Sequence, residues 1–149
     1  MSNDSLTIAF TVRATPEAAF AAITSVRDWW PGQVDGPTDW LGAAFTYRYA
    51  DVHRSTRRIS ELVPGRRVAW HVEDGHLSFV PDPAEWAGTD IVFEITPAGA
   101  GTEVRFTHVG LAPAVACFGQ CSGAWHLYIG RLRDLIAGGP TRRAAGSRP

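Results

Sequence analysis

The stretch VACFGQCSGAWHLYIGRLRDLIA, residues 115–137, decides the fold. Positions in it are spaced alternately by three and four residues, and they are Val115, Phe118, Ser122, Trp125, Ile129, Leu132 and Ile136. Only a helix brings such positions onto one face. A helix of about 24 residues would be about 36 Å long, enough to cross a whole sheet. Gly138-Gly139-Pro140 is predicted to end it.

Upstream of this helix, apolar and polar residues alternate with the period of β-strands. The alternating segments are residues 6–12, 45–49, 52–62, 68–72, 91–95 and 104–108. Between the first two segments, Thr15-Pro16-Glu17 predicts the start of a short helix. A second short helical turn carries Trp29 and Trp30 and stops at Pro31-Gly32, and the stretch to Gly42 is predicted to be a connection.

The predicted order is one strand, two short helices, five or six antiparallel strands and a long helix. Because only the terminal helix is long enough to cover the apolar sheet face, the sequence predicts an α+β helix-grip fold, a curved antiparallel sheet wrapped around that helix. The domain is predicted to span residues 1–137, with a disordered tail at 138–149.

Composition excludes several classes of function. The chain has 149 residues, 45% of them hydrophobic, and a net charge of -1. Its 14 basic residues are interspersed with 15 acidic ones, so no nucleic-acid partner is expected.

No segment predicts a membrane span or a signal peptide, and we expect a cytoplasmic location. Hydrolase, nucleotide and metal motifs were not found, and neither a cofactor nor a metal is predicted.

Five stretches carry a resemblance to a known family. They are residues 41–49 (LGAAFTYRY), 62–70 (LVPGRRVAW), 85–94 (EWAGTDIVFE), 102–111 (TEVRFTHVGL) and 117–128 with its Cys-x3-Cys-x3-Trp-x2-Tyr spacing. They resemble the SRPBCC or START-like superfamily, and within it the bacterial relatives of the activator of the heat-shock-protein-90 ATPase. The resemblance implies an apolar pocket between the sheet and the C-terminal helix, open at one end.

Aromatic side chains are the first candidates for lining such a pocket. Those predicted to point inward are Phe45, Tyr47, Tyr49, Trp70, Phe93, Phe106, Phe118 and Trp125. Collectively they favour a cavity that accepts a hydrophobic or aromatic ligand, whereas any one of them could simply fill the core. Glu85 and Trp86, in an irregular segment before a strand, are candidates for a rim or lid.

Two polar residues are candidates for orienting a ligand. Strand alternation places His108 inward, where it could orient a ligand or act as an acid or base, or only hydrogen-bond a backbone carbonyl. Arg57 faces inward only if its strand alternates as Ser55, Arg57, Ile59, in which case it could hold an anionic group at the cavity mouth.

The two cysteines, Cys117 and Cys121, are one helical turn apart. A regular helix does not give such a pair disulfide geometry, so we expect two reduced sulfurs packed as small hydrophobes. A shared metal or redox role is the alternative.

Three functions remain open from the sequence. The leading hypothesis is a binder of a small hydrophobic, aromatic or lipid-like molecule. The runner-up is a polyketide cyclase or aromatase type of enzyme with His108 or a tyrosine as the proton shuttle. A chaperone-interacting module is the third, and it is favoured least because the partner-binding N-terminal domain of the heat-shock activators has no counterpart here. The oligomeric state is expected to be monomer or homodimer.

Overall fold

The computed structural model describes residues 5–50, 53–78, 86–111 and 118–146. Its elements, in chain order, are β1 Ser5–Val12, α1 Pro16–Thr24, a 3-10 turn Val26–Asp28, β2 Gln33–Asp35, β3 Ala44–Tyr49, β4 His53–Val63, β5 Arg67–Leu77, β6 Asp90–Ala98, β7 Gly101–Val109 and α2 Phe118–Gly146. The seven strands form one curved sheet in the order β1-β7-β6-β5-β4-β3-β2, and neighbouring strands are antiparallel. The predicted α+β helix-grip fold is confirmed.

Helix α2 covers the concave side of this sheet with one apolar face. The side chains buried on that face are Cys121, Trp125, Ile129, Leu132 and Ile136. The predicted stripe is therefore correct from Trp125 onward, whereas Ser122 is only half-buried and Cys121 takes the inward position one residue earlier.

Helix α1 begins as its sequence predicts. The Thr15 hydroxyl accepts a hydrogen bond from the Ala18 backbone N–H at 3.0 Å, and Pro16 is the first helical residue. The cap satisfies one of the donors that a helix start leaves unpaired, and proline has no donor to lose there. Ala19 and Ile23 are fully buried, which anchors α1 to the core.

Two boundaries differ from the prediction. Residues 33–35, predicted as part of a connection, form β2 and pair with β3. Three residues are too few to show a strand period, so no pattern could reveal this strand. At the other end of the chain, α2 runs through Gly138-Gly139-Pro140 to Gly146, although proline costs one helical hydrogen bond at that point. The disordered tail stays a prediction.

Two irregularities in the pairing of β4 with β5 decide which side chains point inward. One extra residue, Glu73, lies in β5 opposite the junction of Thr56 and Arg57, and a second, Ser60, lies in β4 just beyond Ile59. Each extra residue reverses the in-out alternation of its own strand. Apart from Ala69, the buried positions of β5 are consequently even before Glu73 and odd after it, namely Val68, Trp70, Val72, Gly75 and Leu77.

Candidate functional site

The centre of the candidate site is Arg57, on the inward row of β4. Ser55, Arg57 and Ile59 are each fully buried, which is the alternation on which the inward placement of Arg57 depended. A fully buried arginine is unusual because the guanidinium loses its hydration. Arg57 therefore needs a structural or functional reason to occupy this position.

Five aromatic rings surround the Arg57 guanidinium, and we call this set the Arg57 cage. The distances from the guanidinium carbon Cζ to the ring centroids are 4.3 Å for Trp30, 5.5 Å for Tyr47, 5.5 Å for Trp70, 5.8 Å for Trp86 and 6.0 Å for Phe45. These distances are within the usual range for attraction between a cation and the face of a ring. The cage stabilises the positive charge in part and supplies an apolar wall around it.

Arg57 is bonded at only one of its three nitrogens among the described residues. Its Nε donates to Ser55 Oγ at 3.0 Å, and the same oxygen lies 3.1 Å from His53 Nε2. The terminal nitrogens Nη1 and Nη2 have no hydrogen-bond partner within the described part of the chain. The two-nitrogen end of the guanidinium is thus available to a further group.

Four more buried polar atoms lack a partner among the described residues, and all four belong to rings of the cage. They are the indole Nε1 atoms of Trp30, Trp70 and Trp86 and the hydroxyl of Tyr47, although the Tyr128 side chain and the Gly32 backbone lie near that hydroxyl. Each unpaired buried donor costs about 1–3 kcal/mol, so such atoms are rare in native cores. Their concentration around one arginine is typical of a site that binds a polar group.

Glycine 32 lets the backbone pass directly over one ring of the cage. A Cβ atom at Gly32 would lie 2.9 Å from the Tyr47 hydroxyl and would also collide with the Arg48 carbonyl oxygen. Because real Cβ atoms do not approach so closely, glycine is required here. The turn that carries Trp29 and Trp30 ends at Pro31-Gly32, and Gly32 allows this turn to pack against β3.

Burial and the Arg57 charge determine the protonation states around the site. Burial lowers the pKa of Arg57 to about 9, so the guanidinium is charged at neutral pH. Burial, and then the charge of Arg57, lower the pKa values of His53 and His108 to about 3, so both imidazoles are neutral. Burial also raises the pKa of Tyr47, whose hydroxyl keeps its proton. Among the described residues, the site therefore carries one positive charge, on Arg57.

His108 is the middle of a hydrogen-bond chain between two tryptophans. Trp125 Nε1 donates to His108 Nδ1 at 3.1 Å, which places the single ring proton on Nε2. Nε2 lies 2.9 Å from Thr89 Oγ1, and that hydroxyl donates to the Trp86 carbonyl oxygen at 2.7 Å. Both ring nitrogens are thus occupied, which favours a positioning role for His108 over a proton shuttle.

The structure gathers most of the predicted lining residues in one core. Those fully or almost fully buried there are Phe45, Tyr47, Arg57, Trp70, Phe93, Phe106, His108 and Trp125. Tyr49 is a correction, because 44% of it is exposed. It lies at the end of β3, opposite His53. The side chain of Phe118 lies outside the described residues.

Several residues of the site were missed by the sequence analysis. Trp30 supplies the ring nearest to Arg57, and it was attributed only to a short helical turn. Trp86 was a candidate for a rim or lid, but it is buried and its ring is parallel to that of Trp125 at 6.1 Å. The rim interpretation of Trp86 is wrong, and Glu85 lies outside the described residues. The sequence did contain one signal for these residues, namely the several tryptophans that lie outside the predicted strands.

The cysteine prediction also needs correction. Cys121 is disulfide-bonded, and the chain has only one other cysteine, Cys117, which lies outside the described residues. The expectation of a reduced sulfur is therefore wrong for Cys121.

Two surface depressions are described beside the buried site. A pocket of about 230 Å³ is lined by Arg48, Ala50, His53, Arg54 and His76. It meets the site at His53, whose Nε2 is hydrogen-bonded to the hydroxyl that holds Arg57. A groove of about 670 Å³ involves residues 16–17, 63–67 and 94–97 and shares none of them with the Arg57 cage.

The described residues contain no metal-ligand cluster and no membrane-spanning helix. No three His, Cys, Asp or Glu side chains within them come together as a set of metal ligands. None of the helices in the described ranges is long and apolar enough to cross a bilayer.

The fold and this interior place the protein in the helix-grip class, in which a curved sheet encloses a terminal helix. The family model for the "Activator of Hsp90 ATPase homolog 1-like protein" matches residues 13–137. The chain belongs to this family, and the predicted resemblance is confirmed.

Solved structures show the same fold at low sequence identity. The Aha1 dimer from Colwellia psychrerythraea is 22% identical, with a TM-score of 0.73 over 89% of this chain and 96% of that one. DynU16, from the dynemicin biosynthetic locus, is 18% identical, with a TM-score of 0.68 over 93% of this chain and 49% of that one. CalU16 from Micromonospora echinospora is 16% identical, with a TM-score of 0.62 over 91% and 76%. No curated protein sequence matches this chain significantly.

Proposed function

We propose that this protein binds a small hydrophobic molecule, aromatic or lipid-like, between the sheet and α2. The observation that carries the proposal is the Arg57 cage, in which unpaired buried polar atoms are grouped within an aromatic wall. Small-molecule sites have this composition, with apolar and aromatic walls and a few polar groups that orient the ligand. A core that served stability alone would pair these atoms or replace them with apolar groups.

The rings next to the cage extend the apolar surface toward α2. Trp125 lies edge-on to Trp30 at 5.1 Å between centroids, and it is 4.3 Å from Phe106. Phe93 follows Phe106 at 5.5 Å. Because offset and edge-to-face contacts of this kind also form with an added ring, the same walls suit an aromatic ligand.

Native mass spectrometry of the purified protein is the first test, followed by thermal-shift screening with aromatic and lipid-like compounds. We expect a co-purified molecule or a rise in melting temperature, since a ligand that binds only the folded state stabilises it by about 2.7 kcal/mol at 100 times its Kd. Trp30→Ala should reduce the shift, and Trp40→Ala, at a residue that is 67% exposed, should not. No adduct and no shift would reject the proposal.

A cyclase or aromatase type of enzyme is the second candidate, favoured by the likeness to DynU16 from a biosynthetic locus. The same interior would fold a reactive chain by shape, with Tyr47 or His108 near it. A linear poly-β-keto thioester is the assay substrate. Absence of cyclised product with the wild-type protein would remove this candidate, and unchanged turnover in His108→Ala would remove His108 from the mechanism.

The third candidate function is assembly with other protein chains. The family description names an Hsp90 ATPase activator, and one similar structure is a dimer. Trp40 and Leu41 are 67% and 65% exposed and offer an apolar contact. Pull-down with the 90-kDa heat-shock protein tests a chaperone role, and light scattering separates monomer from homodimer.

A further inference from the structure

Six buried atoms of the site lack a hydrogen-bond partner among the described residues, and all six can donate a hydrogen bond. Each guanidinium Nη carries two N–H groups, each indole one, and the Tyr47 hydroxyl one proton. Of these groups only the hydroxyl can also accept. A ligand that satisfies them has to bring acceptor oxygens, and an apolar molecule alone would leave every donor unpaired.

The charge of Arg57 is also uncompensated among the described residues. Eight ion pairs are present there, Arg57 takes part in none of them, and every carboxylate or cation in them is at least 35% exposed. Arg57 itself is fully buried. Because an isolated buried charge is strongly unfavourable, the structure calls for an anion at this position.

We propose that the ligand carries a carboxylate, an inference that rests on the proposed function. The Arg57 guanidinium binds this carboxylate through Nη1 and Nη2 inside the Arg57 cage. The bond of Nε to Ser55 Oγ orients the planar guanidinium and leaves both Nη atoms for two parallel hydrogen bonds. The indole N–H groups of the cage are additional donors for the carboxylate oxygens or for acceptors on the ligand body.

Charge balance favours a monoanion over a phosphate dianion. His53 and His108 are neutral, so Arg57 contributes the single positive charge among the described residues of the site. One carboxylate makes the occupied site neutral, whereas a dianion would leave a buried negative charge without a partner. The aromatic walls accommodate the apolar body that bears the acid.

The test compares aromatic acids with neutral analogues of the same shape. Benzoate, naphthalene-2-carboxylate and biphenyl-4-carboxylate are titrated against their primary amides by calorimetry at pH 7. The variants are Arg57→Met and, as a matched control on the outward face of the same strand, Arg54→Met. Arg54 is only paired with Asp74 at the surface.

We expect at least one acid to bind the wild-type protein and Arg54→Met about 10-fold or more tightly than its amide, the range of a charged hydrogen bond. Arg57→Met should reduce this ratio to about 1. Equal binding of acid and amide by the wild-type protein would overturn the carboxylate while leaving hydrophobic ligand binding intact. An acid preference that persists in Arg57→Met would overturn the role of Arg57. Binding of neither series, with no co-purified molecule, would overturn the proposed function as well. The comparison within the wild-type protein does not depend on any variant folding.

Discussion

The Cζ atom of Arg57 lies 4.3 Å from the centroid of the Trp30 ring, and both side chains are buried. Trp30 comes from the turn after α1, and Arg57 comes from the middle of β4. The contact therefore joins the segment before the edge strand β2 to strand β4. The contact holds a cation in the core without a carboxylate among the described residues.

Arg57→Met should make the ligand-free protein more stable, by about 1–4 kcal/mol. Burial lowers the pKa of Arg57 to about 9 from 12.5, so below pH 9 the folded protein carries the full penalty of the buried charge. Urea unfolding at pH 7 measures the difference, with Arg54→Met as the control at an exposed position. A less stable Arg57→Met would show that the cage stabilises the cation by more than its desolvation costs.

Mild acid should destabilise the protein through His53 and His108. The pKa values of His53 and His108 are lowered to about 3, whereas both titrate near 6.5 in the unfolded chain. The unfolded state therefore gains protons first as the pH falls, and stability drops by about 1.4 kcal/mol per pH unit for each histidine below pH 6. Unfolding curves at pH 7, 6 and 5 measure this slope.

His53→Gln provides the check on that slope. It removes one of the two imidazoles whose pKa the fold lowers, so the loss of stability between pH 6 and 5 should fall by about half. His126→Gln, at an exposed position on α2, should leave the slope as it is. An unchanged slope in His53→Gln would contradict the assignment.

His108→Leu should destabilise the fold by about 1–3 kcal/mol for each buried group that it leaves unpaired. Leucine removes the acceptor of the Trp125 indole N–H and the donor to Thr89. The indole proton resonance of Trp125 should move, and its exchange with solvent should accelerate. Thr89→Val breaks the same chain one step later, and it should leave the Trp125 resonance closer to its wild-type position.

Two glycine substitutions should act in opposite directions. Gly32→Ala should cost about 1–3 kcal/mol, because its Cβ would collide with Tyr47 and with the Arg48 carbonyl oxygen. Gly123→Ala should stabilise the protein by about 0.5–1 kcal/mol, because Gly123 lies in α2 with open space around it. Thermal unfolding of both variants measures the contrast, and a neutral Gly32→Ala would show that the turn after Trp30 can shift.

The sequence could predict the fold because its long elements follow simple periods. The terminal helix shows the 3.6-residue period over several turns, and strands β6 and β7 alternate cleanly. The inward placement of Arg57 stayed conditional because the alternation of β4 and β5 reverses at Ser60 and Glu73. No local pattern shows where a strand takes up an extra residue, since the choice depends on its partner strand.

The site was predictable only where strands supply it. Phe45, Tyr47 and Trp70 follow from alternation, and the structure buries all three. Trp30 and Trp86 lie outside regular elements, where the direction of a side chain depends on tertiary packing rather than on a period. The role of Arg57 as the centre of the site can be recognised only when the positions of the Trp30 and Trp86 rings are known.

The distribution of tryptophan gives the protein an optical reporter of its own interior. Of six tryptophans, Trp40 is 67% exposed and the other five, Trp29, Trp30, Trp70, Trp86 and Trp125, are buried. Intrinsic emission therefore comes mainly from the core, with one solvent-exposed source as background. In Trp40→Phe, the tryptophan emission would come from the core alone. Binding of a molecule between the sheet and α2 would then be detected as quenching or as a wavelength shift of this emission, with no added dye.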